Sequence, residues 1–241
     1  MKKHDWSPSI LLILTIMMSI ALLFLNGCWD TGDLVSETIV VDLMEAQKVD
    51  ATIAVYKGNL NIHGLNQSPL LLSHFSYNLE SWIPQINYVV ENGIGNLKII
   101  QDSEKDIFAP LVNNWSLLFN KTIPLSLDVI MGSGENHLDL SSINLTDLKA
   151  ALGTGDTIID LTGDYQDDIT INIFGGIGHT TLNLPRDAGI RIWIKGALSR
   201  IRCDGFDRIN NYYYNSVFDL TEKKIYVTII IGIGFIDVNL I

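Results

Sequence analysis

Cysteine is scarce: the 241 residues include two, Cys28 and Cys203. Two cysteines allow at most one disulfide, so the fold must stand on packing, which a domain of over 200 residues can supply. Basic residues are also few, with 16 Lys and Arg against 27 Asp and Glu and a net charge of −11. Past residue 27 there remain 14 basic and 26 acidic side chains, a net charge of −12. Such a balance excludes a nucleic-acid binder, which needs clustered Lys and Arg to displace counterions, and docking on anionic lipid by charge alone. The four histidines beyond Cys28, His63, His74, His137 and His179, form no HxxxH or HExxH spacing, so neither a metal nor a cofactor is expected. Gly132-Ser133-Gly134 lacks the Gly-x-Ser-x-Gly frame of a nucleophile elbow.

What the chain has instead is a repeat. Three consecutive stretches, LDVIMGSGENHLDL, LKAALGTGDTIIDL and INIFGGIGHTTLNL, each place an alternating apolar strand before a Gly-x-Gly corner and a second one after it. With Gly134, Gly155 and Gly178 as origins, Leu127, Val129 and Met131, Leu148, Ala150 and Leu152, and Ile171 and Ile173 fall seven, five and three residues before. Leu138 and Leu140, Ile159 and Leu161, and Leu182 and Leu184 fall four and six after. Alternation of period two on both sides of a glycine predicts two strands that each turn one face inward. Weaker copies are read at Gly58, Gly95, Ala197 and Gly234, with glycine-less rungs near Phe75-Ser76-Tyr77, Trp115-Ser116-Leu117 and Ser216-Val217-Phe218. A unit of about 20 residues that buries its apolar face only when stacked predicts an all-β, right-handed β-solenoid of roughly eight to ten rungs. An antiparallel sandwich of hairpins is the alternative, since a Gly-x-Gly corner can also close a hairpin.

The beginning of the chain is an address. Lys2 and Lys3 precede a charge-free run from Ile10 to Leu25, sixteen residues, shorter than the about 20 of a spanning helix and of signal-peptide length. Leu25-Asn26-Gly27-Cys28 resembles a bacterial lipobox, which implies a lipid-modified Cys28 on the extracytoplasmic face of the cell membrane. A retained membrane anchor is the alternative. The expected organisation is a signal peptide over 1–27, a tether and first edge strand over 28–47, and the β-solenoid over 48–241.

Phe75-x-Tyr77-Asn78, Trp82-x-Pro84, Tyr88, Ile123-Pro124-Leu125, the Gly-x-Gly-Glu and Gly-x-Gly-Asp corners, and Leu184-Pro185 with Gly189 together resemble the toast-rack family of bacterial envelope proteins. That family is related to the C-terminal domain of cell-wall-active antibiotic response proteins. The resemblance covers roughly residues 36–241 and implies a β-helix-like stack on a lipid or membrane anchor, with no catalytic residues to carry over and a link to envelope or antibiotic stress. Tyr56-Lys57-Gly58 and Lys195-Gly196-Ala197 depart from the pattern, which predicts distortion there.

Two function classes follow. The first is a non-catalytic envelope lipoprotein that binds or scaffolds. Four residues before each origin stand Ile130, Ala151, Phe174, Trp193 and Ile230, apolar where solvent is expected, and a contiguous apolar stripe is usually covered by something. The chain's own loops could cover it; so could an envelope protein, or a glycan stacking on Trp193 and Phe174. The second class is a carbohydrate-active β-helix enzyme built on Asp164, Asp167 and Asp168 with His179, Arg191 and Lys195, since paired acids supply general acid and base in glycosidic cleavage. Register opposes it by placing the three aspartates in a turn and the basic pair on a strand. Cys203 falls in the inward column and should be a buried, unreactive thiol. The last rung, Tyr226 to Ile241, has no polar cap, so either an earlier segment such as Asn211 to Leu220 folds back over it or a second copy covers it, a homodimer joined end to end.

Overall fold

The computed structural model describes residues 32–66, 68–102 and 112–241. Within them the chain is all-β, sixteen strands in one sheet with a single 3-10 turn at Glu80–Trp82. No helix among the described residues is long and apolar enough to cross a membrane. The signal segment and Cys28 lie outside the described residues.

The glycine corners build the sheet. β2 (Lys48–Lys57) passes through Gly58 into β3 (Asn59–Leu65). β8 (Leu125–Ser133) passes through Gly134 into β9 (Asn136–Asp139), and β10 (Leu145–Thr154) through Gly155 into β11 (Thr157–Asp160). β12 (Ile169–Leu184), β13 (Gly189–Cys203) and β16 (Lys224–Leu240) run through the corner as single strands. Each such unit is a rung with two arms, and the rungs pair in parallel along both arms. The stack explains the glycines. Gly58, Gly134, Gly155, Gly178 and Gly234 all hold φ between 130° and 150°, and a Cβ on Gly155 would sit on the carbonyl oxygen of Gly134 in the rung beside it. Gly58 keeps this geometry, so the distortion expected at Tyr56-Lys57-Gly58 is absent.

The inward columns are those the alternation predicts. Leu127, Val129, Leu148, Ala150, Ile171, Ile173, Val227 and Ile229 in the first arms, and Leu138, Ile159, Leu182 and Val238 in the second, are buried in one cluster. Each buried Leu, Ile or Val contributes on the order of 1.5–3 kcal/mol.

The order of the rungs departs from a simple solenoid. β6 (Ile94–Gln101) pairs with β2 and β7 (Asn113–Asn120) with β3, both parallel, so these two strands form a further rung beyond β2/β3 although they follow it in the chain. At the other end β16 lies between β12 and β13, although β13 precedes it in the chain. Through space the sequence of rungs is therefore β6/β7, β2/β3, β8/β9, β10/β11, β12, β16, β13, seven among the described residues where eight to ten were expected. The chain steps over one place at each end and returns to fill it. Antiparallel strands cover the outside: β5 (Pro84–Glu91) on β6, β4 (Leu71–Tyr77) on β7, β1 (Val35–Val41) on β4, and β15 (Tyr212–Asn215) on β13, with β14 (Phe206–Ile209) on β15.

Four expectations are corrected. Gly95 is not a corner, because the turn there is Asn92–Gly93, both at positive φ (52° and 76°), a two-residue hairpin turn between β5 and β6. The corner of β13 is at Ser199, which pairs with Gly234, so Ala197 is two residues early. Phe75-Ser76-Tyr77 belongs to an antiparallel strand and Ser216-Val217-Phe218 to a turn, whereas Trp115-Ser116-Leu117 does lie in a rung arm, in β7. Finally, β16 is an interior rung with neighbours on both sides, which removes the reason for pairing two copies through Tyr226–Ile241.

Candidate functional site

On the outer face of the first arms, cross-strand register aligns Ala54, Ile130, Ala151, Phe174 and Ile230 in one row. Ile130 and Ile230 are 36% and 39% exposed, Ala151 and Phe174 are half-buried, and Ala54 is buried. Four of the five residues picked out in the sequence are therefore neighbours. Trp193 is not in that row. It pairs with Thr228, and the residue opposite Ile230 is Lys195, because the true corner of β13 lies two residues further on. A shift of two keeps a side chain on its face and moves it along the strand. Trp193 thus stays outward, beside the row's end.

That end gathers basic and aromatic side chains. Arg191, Trp193 and Lys195 point outward from β13, where Arg191 lies between Tyr226 of β16 and Tyr214 of β15, and Trp193 between Thr228 and Tyr212. The Arg191 guanidinium carbon stands 4.7 Å from the ring centre of Tyr226 and 5.3 Å from that of Tyr212. Tyr212 and Tyr214 are 6.2 Å apart, and Tyr214 meets Phe218 edge-on at 5.0 Å. Asn215 fixes the hairpin below: its side chain accepts from the backbone N–H of Ile190 (2.9 Å) and donates to the carbonyl of Ala188 (2.7 Å). Sequence reasoning took Arg191 and Lys195 for parts of a catalytic set and missed the tyrosines. The run Tyr212-Tyr213-Tyr214 was the available signal.

The outer face of the second arms carries His63, His137 and His179, and His74 stands on the antiparallel strand β4 beside them. His63 and His137 meet edge-on at 5.7 Å, with His63 3.6 Å from the Asp139 carboxylate; His179 is bonded to Asp237 at 2.8 Å; and Thr38 bonds His74 at 2.8 Å. Burial alone would raise the Asp139 carboxyl, but hydrogen bonds from Ser141 and His63 outweigh it and hold the group below its ordinary value. Among the described residues no group of three or more His, Cys, Asp or Glu side chains could hold a metal ion.

The catalytic set is not assembled. Asp164 and Asp167 line a cavity of about 330 Å³ with Asp187 and Glu222, whereas Asp168 accepts from the backbone N–H of Lys224. His179 lies on the second-arm face, and Arg191 and Lys195 on the first-arm face. Cys203 is half-buried against the core, with its thiol pushed up to about 12 by burial and then by the charges of Asp204 and Asp237.

The site is thus an apolar and aromatic outer face on an all-β sheet of parallel, glycine-cornered strand pairs. The chain belongs to the toast-rack family: residues 30–183 match the N-terminal domain of toast_rack, DUF2154. A solved structure from Clostridium sporogenes ATCC 15579, described as a "putative cell adhesion protein", is 31% identical over 86% of this chain and 99% of its own, with a TM-score of 0.80. A "putative lipid binding protein" from Parabacteroides distasonis ATCC 8503 (14% identity, 86% and 97% covered, TM-score 0.34) and a "putative adhesin" from Bacteroides fragilis NCTC 9343 (12%, 86% and 97%, 0.24) are too remote to inform the site. No curated protein matches the chain.

Proposed function

We propose that this chain is a non-catalytic binding module of the bacterial cell envelope, tethered to the membrane by lipid on Cys28 and acting in the response to envelope or antibiotic stress. The observation that carries the reading is the outer row Ile130, Ala151, Phe174 and Ile230, which keeps apolar side chains toward solvent across four adjacent rungs. A row of that kind is retained where a partner covers it. The lipobox supports the tether, and the description of the Clostridium protein as a "putative cell adhesion protein" supports a binding role.

The test is expression of the full chain in a bacterial host with metabolic palmitate labelling and cell fractionation. Wild type should carry label and stay with the envelope. Cys28→Ala should lose the label, and Ile130→Lys/Ala151→Lys in that unlabelled background should lose the residual envelope association while melting at the wild-type temperature. Label persisting in Cys28→Ala would refute the tether, and unchanged association in the charged-row variant would refute the binding row.

A further inference from the structure

We propose that the outer face of β13, β15 and β16 is a binding platform for an anionic glycan, a chain of sugar rings carrying carboxylate or phosphate groups. The proposal names the ligand class of the binding module argued above and rests on that reading. Its centre is Arg191. The guanidinium is held against the faces of Tyr226 and Tyr212, at 4.7 and 5.3 Å, and among the described residues it has no ion pair and donates no hydrogen bond. A guanidinium offers five N–H donors in a planar fork that matches a carboxylate or phosphate. Two aromatic faces hold this one in place, so less side-chain freedom is lost when an anion docks.

The surroundings complete the chemistry. Trp193 and Tyr212 face each other across the β13–β15 ladder, Tyr214 lies opposite Arg191, and Lys195 follows two residues on. None of these side chains is fully buried, and Tyr212 is 39% exposed. A sugar ring presents an apolar face of C–H groups edged by hydroxyls, which flat amphipathic rings beside hydrogen-bond donors accommodate. A site for charge alone would not need these rings, and a purely apolar partner would leave the guanidinium unmatched. On this face the cations are Arg191 and Lys195, with Asp207 opposite Tyr214 at the rim, whereas Arg200 and Arg202 stand on the second arm of β13 and Arg208 lies against Tyr213 on the hairpin's other face. The apolar row leads into the platform through Phe174 and Ile230, which gives a longer chain a continuous track.

The experiment is calorimetric titration of the detergent-solubilised full chain with polygalacturonate, neutral dextran, inorganic polyphosphate and phosphatidylglycerol vesicles. Polygalacturonate should bind, and its affinity should fall at least tenfold in Arg191→Gln and in Trp193→Ala while His137→Ala, on the other face, matches wild type. Arg191→Gln keeps both tyrosines, so it stays informative if Trp193→Ala melts early. Wild-type affinity in a folded Arg191→Gln would overturn the platform. Equal binding of dextran would overturn the anionic requirement, equal binding of polyphosphate the sugar requirement, and binding to vesicles alone would make the ligand a membrane. If no probe binds but the Ile130→Lys/Ala151→Lys variant still loses its envelope association, the glycan is refuted and the binding module stands; if that association is also unchanged, the module falls with it.

Discussion

A corner glycine in this stack is set by its neighbour in the next rung as much as by its own backbone. Gly155 has φ 130°, and a methyl group there would occupy the position of the Gly134 carbonyl oxygen. Local strain at such a φ costs on the order of 1–3 kcal/mol, and the collision with backbone that cannot swing aside adds to it. Gly155→Ala should therefore lose about 3 kcal/mol or more, read as a lower urea midpoint. Ser133→Ala, at the exposed middle of the preceding corner, should stay within about 0.5 kcal/mol of wild type. Equal midpoints for the two variants would mean that rung spacing does not dictate the glycines. Ser199 shows the rule's limit: where β13 closes the stack, the corner residue is not at positive φ, and its hydroxyl donates instead to the carbonyl of Gly232 at 3.2 Å.

Which face each strand buries was legible in the sequence; which strand lies next to which was not. Alternation is local, so parity survived even where the origin was misplaced: Ile190 and Ile192 are buried whether the corner of β13 is put at 197 or 199. The row did not survive, and Trp193 changed places with Lys195 in the stripe. Spatial order is a long-range property. Nothing in the repeat says that β16 enters between β12 and β13, because the apolar faces of β13 and β16 are interchangeable in pattern. The hairpin at Asn92–Gly93 was locally encoded and was overlooked because Gly95 mimics a corner. Gly95 lacks a side chain for another reason, the ring of Tyr88 lying across it as its hydroxyl reaches the Leu43 carbonyl at 2.9 Å. The interior position of β16 has a direct consequence. Val238→Lys would place an ammonium between the buried Leu182 column and Cys203, and should cost about 3–5 kcal/mol or abolish folding. Asn239→Lys, outward on the same strand, gives up one hydrogen bond to Asn183 and should cost about 1 kcal/mol, both read from thermal melts. A Val238→Lys protein as stable as Asn239→Lys would put β16 at an edge.

Across the whole molecule the charge is divided by the same topology. Residues 28–185 carry 6 basic and 20 acidic side chains, a net charge of −14, whereas residues 186–241 carry 8 and 6, a net of +2. Strand order places β1, which follows the tether, at one end of the second-arm layer and β13 at the other, eight strand steps away, or about 38 Å along the sheet. With lipid on Cys28, the β1 end is held near the membrane and the arginine-bearing end is held off it. A tether at the β1 end and an acidic surface along residues 28–185, repelled by anionic headgroups within a Debye length of about 8 Å at physiological salt, favour a stack that stands away from the bilayer over one lying flat. Spin labels on Ser36→Cys and on Lys195→Cys, each in acylated protein with Cys203→Ser and bound to phosphatidylglycerol-containing vesicles, read this orientation directly. The label at position 36 should be relaxed by a paramagnetic lipid headgroup, and the label at 195 should respond only to a water-soluble relaxant. Headgroup relaxation of equal size at both positions would show the stack lying flat, with its aromatic platform on the bilayer instead of facing the space beyond it.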